Sequence, residues 1–409
     1  MTGELPDNRA AFEPSQLAEL DDPYPLFRAL HSVGPSLKTM SGIHCVVGYA
    51  AADTVLRDSR FRSGPLAERF RQLLPAGAAR DELSHRINFL DPPNHPRVRG
   101  LVSRAFTPGR VRDLHSFVAR KTEELLDGID KQPAGDETID LRASLAHPLP
   151  SLVISEMLGV PPDDRDQLTE WTEAVTPLLG VQMPREGLER ALEASERFAA
   201  YAAELLEERR RHPGNDLLTA MVQAQDGQER LSREELLSLV VTLYSAGHRT
   251  TRDLFTNGLF ILLKHPEQYA AVVADQSLVP SAVNEFLRFE TPTQYVARVP
   301  VVDVELAGSA IPALTPTLVI LAAANRDPNQ FAEPDRFDIR RNEGAPLSFA
   351  AGPHFCLGAS LARMEAEVML AAVTHRWPRL KLAEPQPSWW SSGPFRGLTH
   401  LRVLPGKEN

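Results

Sequence analysis

The chain has 409 residues, 43% hydrophobic and 24% charged, a balance that supports a substantial core and excludes a disordered polymer. A formal charge of −10 at pH 7 argues against a nucleic-acid footprint, which needs a basic excess, and favours solubility without defining a fold. No run of about 18 apolar residues is present, and Met1–Pro23 lacks a basic-then-apolar signal pattern, so a cytoplasmic protein with no membrane partner is expected.

Residues 1–22 are expected to form a flexible lead-in to a single domain covering 1–409. Pro23–Ser32 reads as a short helix and the β-prone His44–Tyr49 as a strand, with Cys45 a small buried hydrophobe inside it. Between Arg62 and Leu90 the chain reads as irregular. Apolar residues recur at three and four from Pro96 to Phe106 and from Pro108 to Leu126, the helical period. Helical patterns from Asp163 to Leu179 and from Arg185 to Arg211 are separated by the breaker-rich Gly180–Pro184, which gives a helix-loop-helix flap. Ser232 with Glu235 three residues on forms a capping box, and the helix it opens runs to Leu263 before His265-Pro266 stops it. A helix from Val279 to Phe289 follows, then strands at Val299–Leu306 and Thr317–Ala322. A helix from Leu357 to His375 and a strand within Gly397–Leu404 complete a chain that is mainly α with minor β.

Cys45 and Cys356 are far apart, and a large core needs no disulfide, so both are expected as free thiols. Cys356 stands in the glycine-flanked loop Phe349-Ala350-Ala351-Gly352-Pro353-His354-Phe355-Cys356-Leu357-Gly358, where a helix begins at the thiol. The helix dipole and its free N–H groups are expected to lower the thiol pKa and make the sulfur a metal ligand. This loop resembles the haem-binding signature of the cytochrome P-450 family, F-x-x-G-x-H-x-C-x-G, with Phe349, Gly352, His354, Cys356 and Gly358 in every specified place.

That resemblance implies a triangular-prism fold, with haem b held between the long central helix and the cysteine-loop helix and Cys356 as the axial thiolate. Phe349 would pack against the sulfur, and Gly352 and Gly358 would allow close approach of backbone to sulfur and porphyrin. Glu285 and Arg288, at i and i+3 on one helix face, match the family's E-x-x-R pair. Pro334-Asp335-Arg336-Phe337 matches the segment that supplies a third member, which makes Arg336 the expected partner in a structural triad. His95 and Arg99, within Asp91-Pro92-Pro93-Asn94-His95-Pro96-Arg97-Val98-Arg99, join Arg298 and His354 as the expected partners of the haem propionates.

On the central helix, Ala246-Gly247-His248-Arg249-Thr250-Thr251 resembles the family's oxygen-activation stretch A-G-x-[DE]-T-T. Ala246 and Gly247 would leave room for porphyrin and dioxygen, and the Thr250 hydroxyl would pass a proton. Arg249 stands where the family has an acid, and a guanidinium cannot relay a proton. Three readings follow for it: pairing with an acid on the flap, which is the first expectation, binding a substrate carboxylate, or a peroxide-driven or different oxidation route.

By the family's layout, the substrate wall is formed by Arg62–Leu90, the Leu168–Ala199 flap, Tyr244, the turn bearing Tyr295 and Val296, and Phe395. The resemblance implies insertion of one oxygen atom from O2 into a C–H or C=C bond of a hydrophobic small molecule, such as a polyketide or peptide intermediate. Electrons from NAD(P)H would arrive through a ferredoxin reductase and a ferredoxin docked near Arg104, Arg110, Arg112 and Arg363, on a monomer. A peroxide-driven oxygenase, an oxidative coupling enzyme and a non-catalytic haem-binding relative are the alternatives.

Overall fold

The computed structural model describes residues 12–106, 108–131, 138–180, 186–226 and 229–406. The expected Gly180–Pro184 breaker and the start of the second flap helix at Arg185 lie largely outside the described residues, as do residues 1–11 of the expected flexible lead-in. The rest of that lead-in is ordered. Phe12 and Leu17 are buried with Phe27, Leu30 and Cys45, and Glu13 accepts both the N–H and the hydroxyl of Ser41.

Helices dominate. The central helix, Arg233–Leu263, is capped by Ser232, whose hydroxyl accepts from the Glu235 N–H while the Glu235 carboxylate accepts from the Ser232 N–H. Nearly all of its surface from Thr251 onward is buried, so it acts as the axle against which the other helices pack. The helices Pro148–Leu158, Leu188–Arg211, Val279–Phe289 and Ala359–Arg376 all pack on it. The Pro148–Leu158 helix has no polar stripe, since it is covered on almost every side. Arg62–Leu90 is not irregular: it forms helices Gly64–Leu73 and Ala78–His85, the first opened by Pro65 and the second by Gly77. The flap's first helix ends at Val175 and tightens into a 3-10 turn at Thr176–Leu179, where Pro177 cannot continue the α ladder.

One sheet joins β1 (Ser36–Lys38), β2 (His44–Val46), β3 (Phe61–Arg62), β4 (Val296–Pro300) and β5 (Thr317–Val319) in the order β1-β2-β5-β4-β3. β5 pairs parallel with β2 and antiparallel with β4, which sets Arg298 opposite Thr317. All four expected strands are shorter than their β-prone runs: His44–Tyr49 keeps His44–Val46 before the Tyr49–Arg57 helix, and Gly397–Leu404 divides into the end of Phe395–Leu398 and a strand Arg402–Leu404. Val299–Leu306 divides at Pro300 into β4 and a separate hairpin strand, Val304–Leu306, and the stretch after Val319 turns into a short helix, Leu321–Ala324. Near the C-terminus a hairpin of β6 (Trp389–Ser392) and β7 (Phe395–Leu398) lies against the central helix.

Candidate active site

The cysteine loop is built by two tight turns, Leu347–Phe349 and Gly352–His354, before the Ala359–Arg376 helix starts. Its closure is a bond from the Cys356 N–H to the Phe349 carbonyl at 3.0 Å. Gly352 has φ +67, and a Cβ there would overlap the Leu56 carbonyl, so its smallness answers the neighbouring Tyr49–Arg57 helix rather than the sulfur. Gly358 opens onto free space. Phe349 and Phe355 meet edge to face with centroids 6.3 Å apart.

Cys356 retains accessible surface, yet protein atoms crowd it enough to desolvate the thiol. A group that is both accessible and crowded faces a recess. Burial raises its pKa against the opposing pull of the Gly358 N–H and the Arg99 charge, which reverses the expectation drawn from the helix start.

His95, Arg99, Arg298 and His354 come together beside this recess. The His95 and His354 rings lie 4.0 Å apart, and Arg99 donates to the Phe355 carbonyl at 2.8 Å. Burial, then Arg298, His95 and Arg99, push the His354 pKa down to about 2, so the imidazole is a neutral donor. Arg298 is buried on β4 and donates to the carbonyl of its neighbour Ala297; burial lowers its pKa to about 10. Asp91, the acid facing Arg298, accepts from the N–H groups of Ser63 and Gly64. Two guanidinium groups without a carboxylate ion pair among the described residues match the two carboxylates of haem, and a single thiolate matches its axial position.

On the central helix, Ala246 is exposed and Thr250 half-buried, with the Thr250 hydroxyl donating to the Ala246 carbonyl at 2.8 Å. Gly247 points elsewhere: a Cβ there would sit 3.2 Å from the Ile154 Cδ1, so it serves helix packing and not the porphyrin face. Arg249 makes no ion pair with a flap acid among the described residues. Its guanidinium lies 4.1 Å above the Trp390 ring, and the flap's Glu173 is taken by Arg252 at 3.2 Å.

Glu285 and Arg288 form a buried two-point pair at 2.7 and 2.8 Å. The third arginine is not the expected one. Arg336 offers its carbonyl to Arg288, while its side chain, 59% exposed, pairs with Asp338. Arg341, 6% exposed, reaches Glu285 at 3.5 Å and donates to the carbonyls of Ala332, Glu333 and Arg336. The turn after Pro334 directs the Arg336 side chain outward, and spacing alone could not choose between the two arginines.

The expected substrate wall is assembled only in part. Tyr244 is fully buried, bonded to Ser151 and to the Arg165 carbonyl and packed on Phe198, about 160° around the helix from Ala246 and about 120° from Thr250, so it is a core residue. Tyr295 is buried with the cluster around Phe27 and Cys45. Val296 and Phe395 are half-buried, and Phe395 bridges to Thr293, which joins the β7 end to the turn before β4. Arg363, expected on a docking face, is half-buried, bonds Asn284 and covers the Phe349 ring. A surface groove of about 490 Å³ between Pro161, Tyr201 and Arg211 shares no residue with this set. Among the described residues no helix is long and apolar enough to cross a membrane.

Comparison with known proteins agrees with this geometry. Residues 39–384 match the family described as Cytochrome P450. The chain is 40% identical to cytochrome P450 monooxygenase PikC of Streptomyces venezuelae, over 93% of this chain and 91% of that protein. It is 37% identical to 6-deoxyerythronolide B hydroxylase of Saccharopolyspora erythraea, over 88% and 89%. The crystal structure of CalO2 superposes with a TM-score of 0.90 at 32% identity, covering 97% of this chain and all of that one. With the cysteine loop, the cationic recess and the buried Glu285–Arg288 pair in one fold, this chain belongs to the cytochrome P450 family of haem-thiolate monooxygenases.

Proposed function

We propose that Cys356 would ligate haem b through its thiolate, that His95, Arg99, Arg298 and His354 would hold its propionates, and that Thr250 manages the proton needed at the oxidation site. The enzyme then inserts one oxygen atom of O2 into a C–H or C=C bond of a medium or large hydrophobic molecule of the polyketide or peptide natural-product type. A relative that hydroxylates 6-deoxyerythronolide B supports that substrate class. The carrying observation is the crowded yet accessible Cys356 sulfur beside two guanidinium groups and two neutral imidazoles.

Bound haem supplies oxygen activation, which a thiolate ligand favours by electron donation. The chain's own residues do the rest. Arg99 and Arg298 compensate negative charge, Gly358 N–H steadies the sulfur, and Thr250 holds a proton at Oγ1, one helical turn from the Ala246 carbonyl it now bonds. Electrons from NAD(P)H reach the site through a ferredoxin reductase and a ferredoxin, on a single-domain monomer in the cytoplasm.

The test is the absorption spectrum of the reduced protein with carbon monoxide, beside Cys356→Ser. A strongly red-shifted Soret band present only in the parent is expected; bound haem without that band overturns the reading. Arg249, in place of an acid, favours one second reading, a peroxide-driven oxygenase, and faster turnover with hydrogen peroxide alone than with a ferredoxin chain would establish it.

A further inference from the structure

Arg249 is a half-buried cation with two of its nitrogens unspent. Its Nε and Nη1 are shielded from solvent and have no hydrogen-bond partner among the described residues, and the Nε1 of Trp390 beneath it is in the same condition. Burial lowers the Arg249 pKa to about 10, still far above neutrality, so the group remains charged. The charges that act on it are Arg252 and Arg142 on one side of the balance and Asp253 and Glu173 on the other. Those four cancel and leave the charge of Arg249 itself uncompensated. Both acids face Arg252, which takes the two oxygens of Asp253 at 2.9 and 3.2 Å and one of Glu173 at 3.2 Å. His147 and His248 contribute no charge near neutral pH, since burial lowers both pKa values. Arg142, on the π turn Arg142–Ala146, adds another buried Nε without a partner among the described residues. Asp140 acts on Arg142, and its Oδ1 accepts from the backbone N–H groups of Arg142, Ala143 and Leu401.

A desolvated guanidinium with vacant N–H donors is costly unless an anion completes it. Nε and Nη1 stand on different edges of the guanidinium, so each offers a single charge-assisted N–H to an anion oxygen, and one uncompensated charge matches a monoanion rather than a phosphate dianion. The aromatic ring below holds the guanidinium plane and keeps water from one face. Arg249 directly precedes Thr250, and Trp390 sits on the hairpin that carries Phe395, whose Gly393 turn approaches Gly180 of the flap. The anion position is thus continuous with the elements that wall the proposed oxidation site.

We propose that Arg249, backed by Trp390, recognises a carboxylate, and that the substrate is an apolar molecule bearing one acid group. This rests on the oxygenase reading above and narrows its substrate class. The guanidinium then replaces the absent relay acid with a positioning contact.

The test titrates the ferric holoenzyme with octanoate, dodecanoate, hexadecanoate and phenylbutanoate and with their methyl esters, at constant ionic strength, following the Soret shift. Parent, Arg249→Lys and Arg249→Gln are compared, and sodium acetate is titrated as a competitor. At least one acid is expected to bind roughly ten- to a hundredfold more tightly than its ester, the range of a charge-assisted contact. Arg249→Gln should weaken the acid alone, and Arg249→Lys should restore part of the preference. Equal binding of acids and esters by the parent, no response to any acid, or equal weakening of both by Arg249→Gln overturns the proposal. Acetate that displaces the longer acids while binding as tightly as they do assigns the site to a free anion and overturns the substrate claim. The carbon monoxide spectrum of the same samples separates the two failures: a normal thiolate band with no acid preference sinks this inference alone, whereas a missing band sinks the oxygenase reading.

Discussion

Arg341 holds its guanidinium 3.5 Å from the Glu285 carboxylate while three carbonyls of the Ala332–Arg336 turn accept its other N–H groups. Glu285 in turn accepts the Asp338 N–H at 2.9 Å, so the pair ties the segment before the cysteine loop to the Val279–Phe289 helix.

Arg341→Ala removes the 2.6 Å pair with Glu343 and the donors to three carbonyls of an exposed turn, while Glu285 keeps both N–H bonds from Arg288 and the Asp338 N–H, so the cost is about 1–3 kcal/mol. Arg336→Ala removes an exposed pair and keeps the carbonyl that Arg288 uses, so its cost stays within about 1 kcal/mol. Urea unfolding and haem content of the two variants check this. Equal losses would return Arg336 to the triad.

Stability should fall on mild acidification through His248. The imidazole has no exposed surface, its Nδ1 has no partner among the described residues, and burial, followed by His147 and Arg252, holds its pKa well below the usual 6.5. Below about pH 6.5 the unfolded chain takes up a proton that the folded chain refuses, so the contribution is complete above that pH and is lost as pH falls. The slope is up to about 1.4 kcal/mol per pH unit for one such group. His248→Gln should flatten the acid limb of the stability curve relative to the parent; parallel limbs would remove His248 from the account.

Gly247 and Ile154 should behave as a coupled pair. Gly247→Ala brings a Cβ to 3.2 Å from the Ile154 Cδ1, and the overpacking is expected to offset the gain of about 0.5–1 kcal/mol that alanine brings to a helix interior. Ile154→Val removes that methyl at about 0.5–1.5 kcal/mol on its own. The double variant should be more stable than the sum of the two single effects predicts, by at least about 0.5 kcal/mol. Simple additivity in urea unfolding would place the Gly247 constraint elsewhere.

These residues also mark what sequence could and could not convey. The cysteine loop, the Ser232–Glu235 cap and the His95–Arg99 spacing are legible because each is a local pattern with few alternative uses, whereas Arg298 entered only through the family resemblance. Gly247 was read as room for a cofactor because its helix neighbours were known but the Pro148–Leu158 helix against it was not; a helix buried on almost all sides has no period to reveal it. Tyr244 was misplaced for a related reason, since its distance from Thr250 around the helix matters more than its distance along the chain. Arg341 and Arg336 follow the same proline and differ only in which way a turn sends them. Trp390 lies 141 positions beyond Arg249 and no local pattern joins them, so the ring contact appears only in three dimensions.

Thr250 gives the most direct test of chemistry. Its hydroxyl spends its hydrogen on the Ala246 carbonyl, one turn back on the same helix, so a proton leaves Oγ1 only when that bond is exchanged for one to substrate-side oxygen or water. Thr250→Val keeps the shape and removes the donor; Thr250→Ser keeps the donor and loses a methyl. With a ferredoxin chain supplying electrons, the valine variant should retain haem and the carbon monoxide band but lose product formation by roughly 10²-fold, the lower end for a positioned proton donor. Its NAD(P)H consumption should continue and appear as hydrogen peroxide. The serine variant should stay within about tenfold of the parent. A valine variant that couples electrons to product as well as the parent would show that the hydroxyl only caps its own helix turn, and the proton would have to come from elsewhere on the central helix.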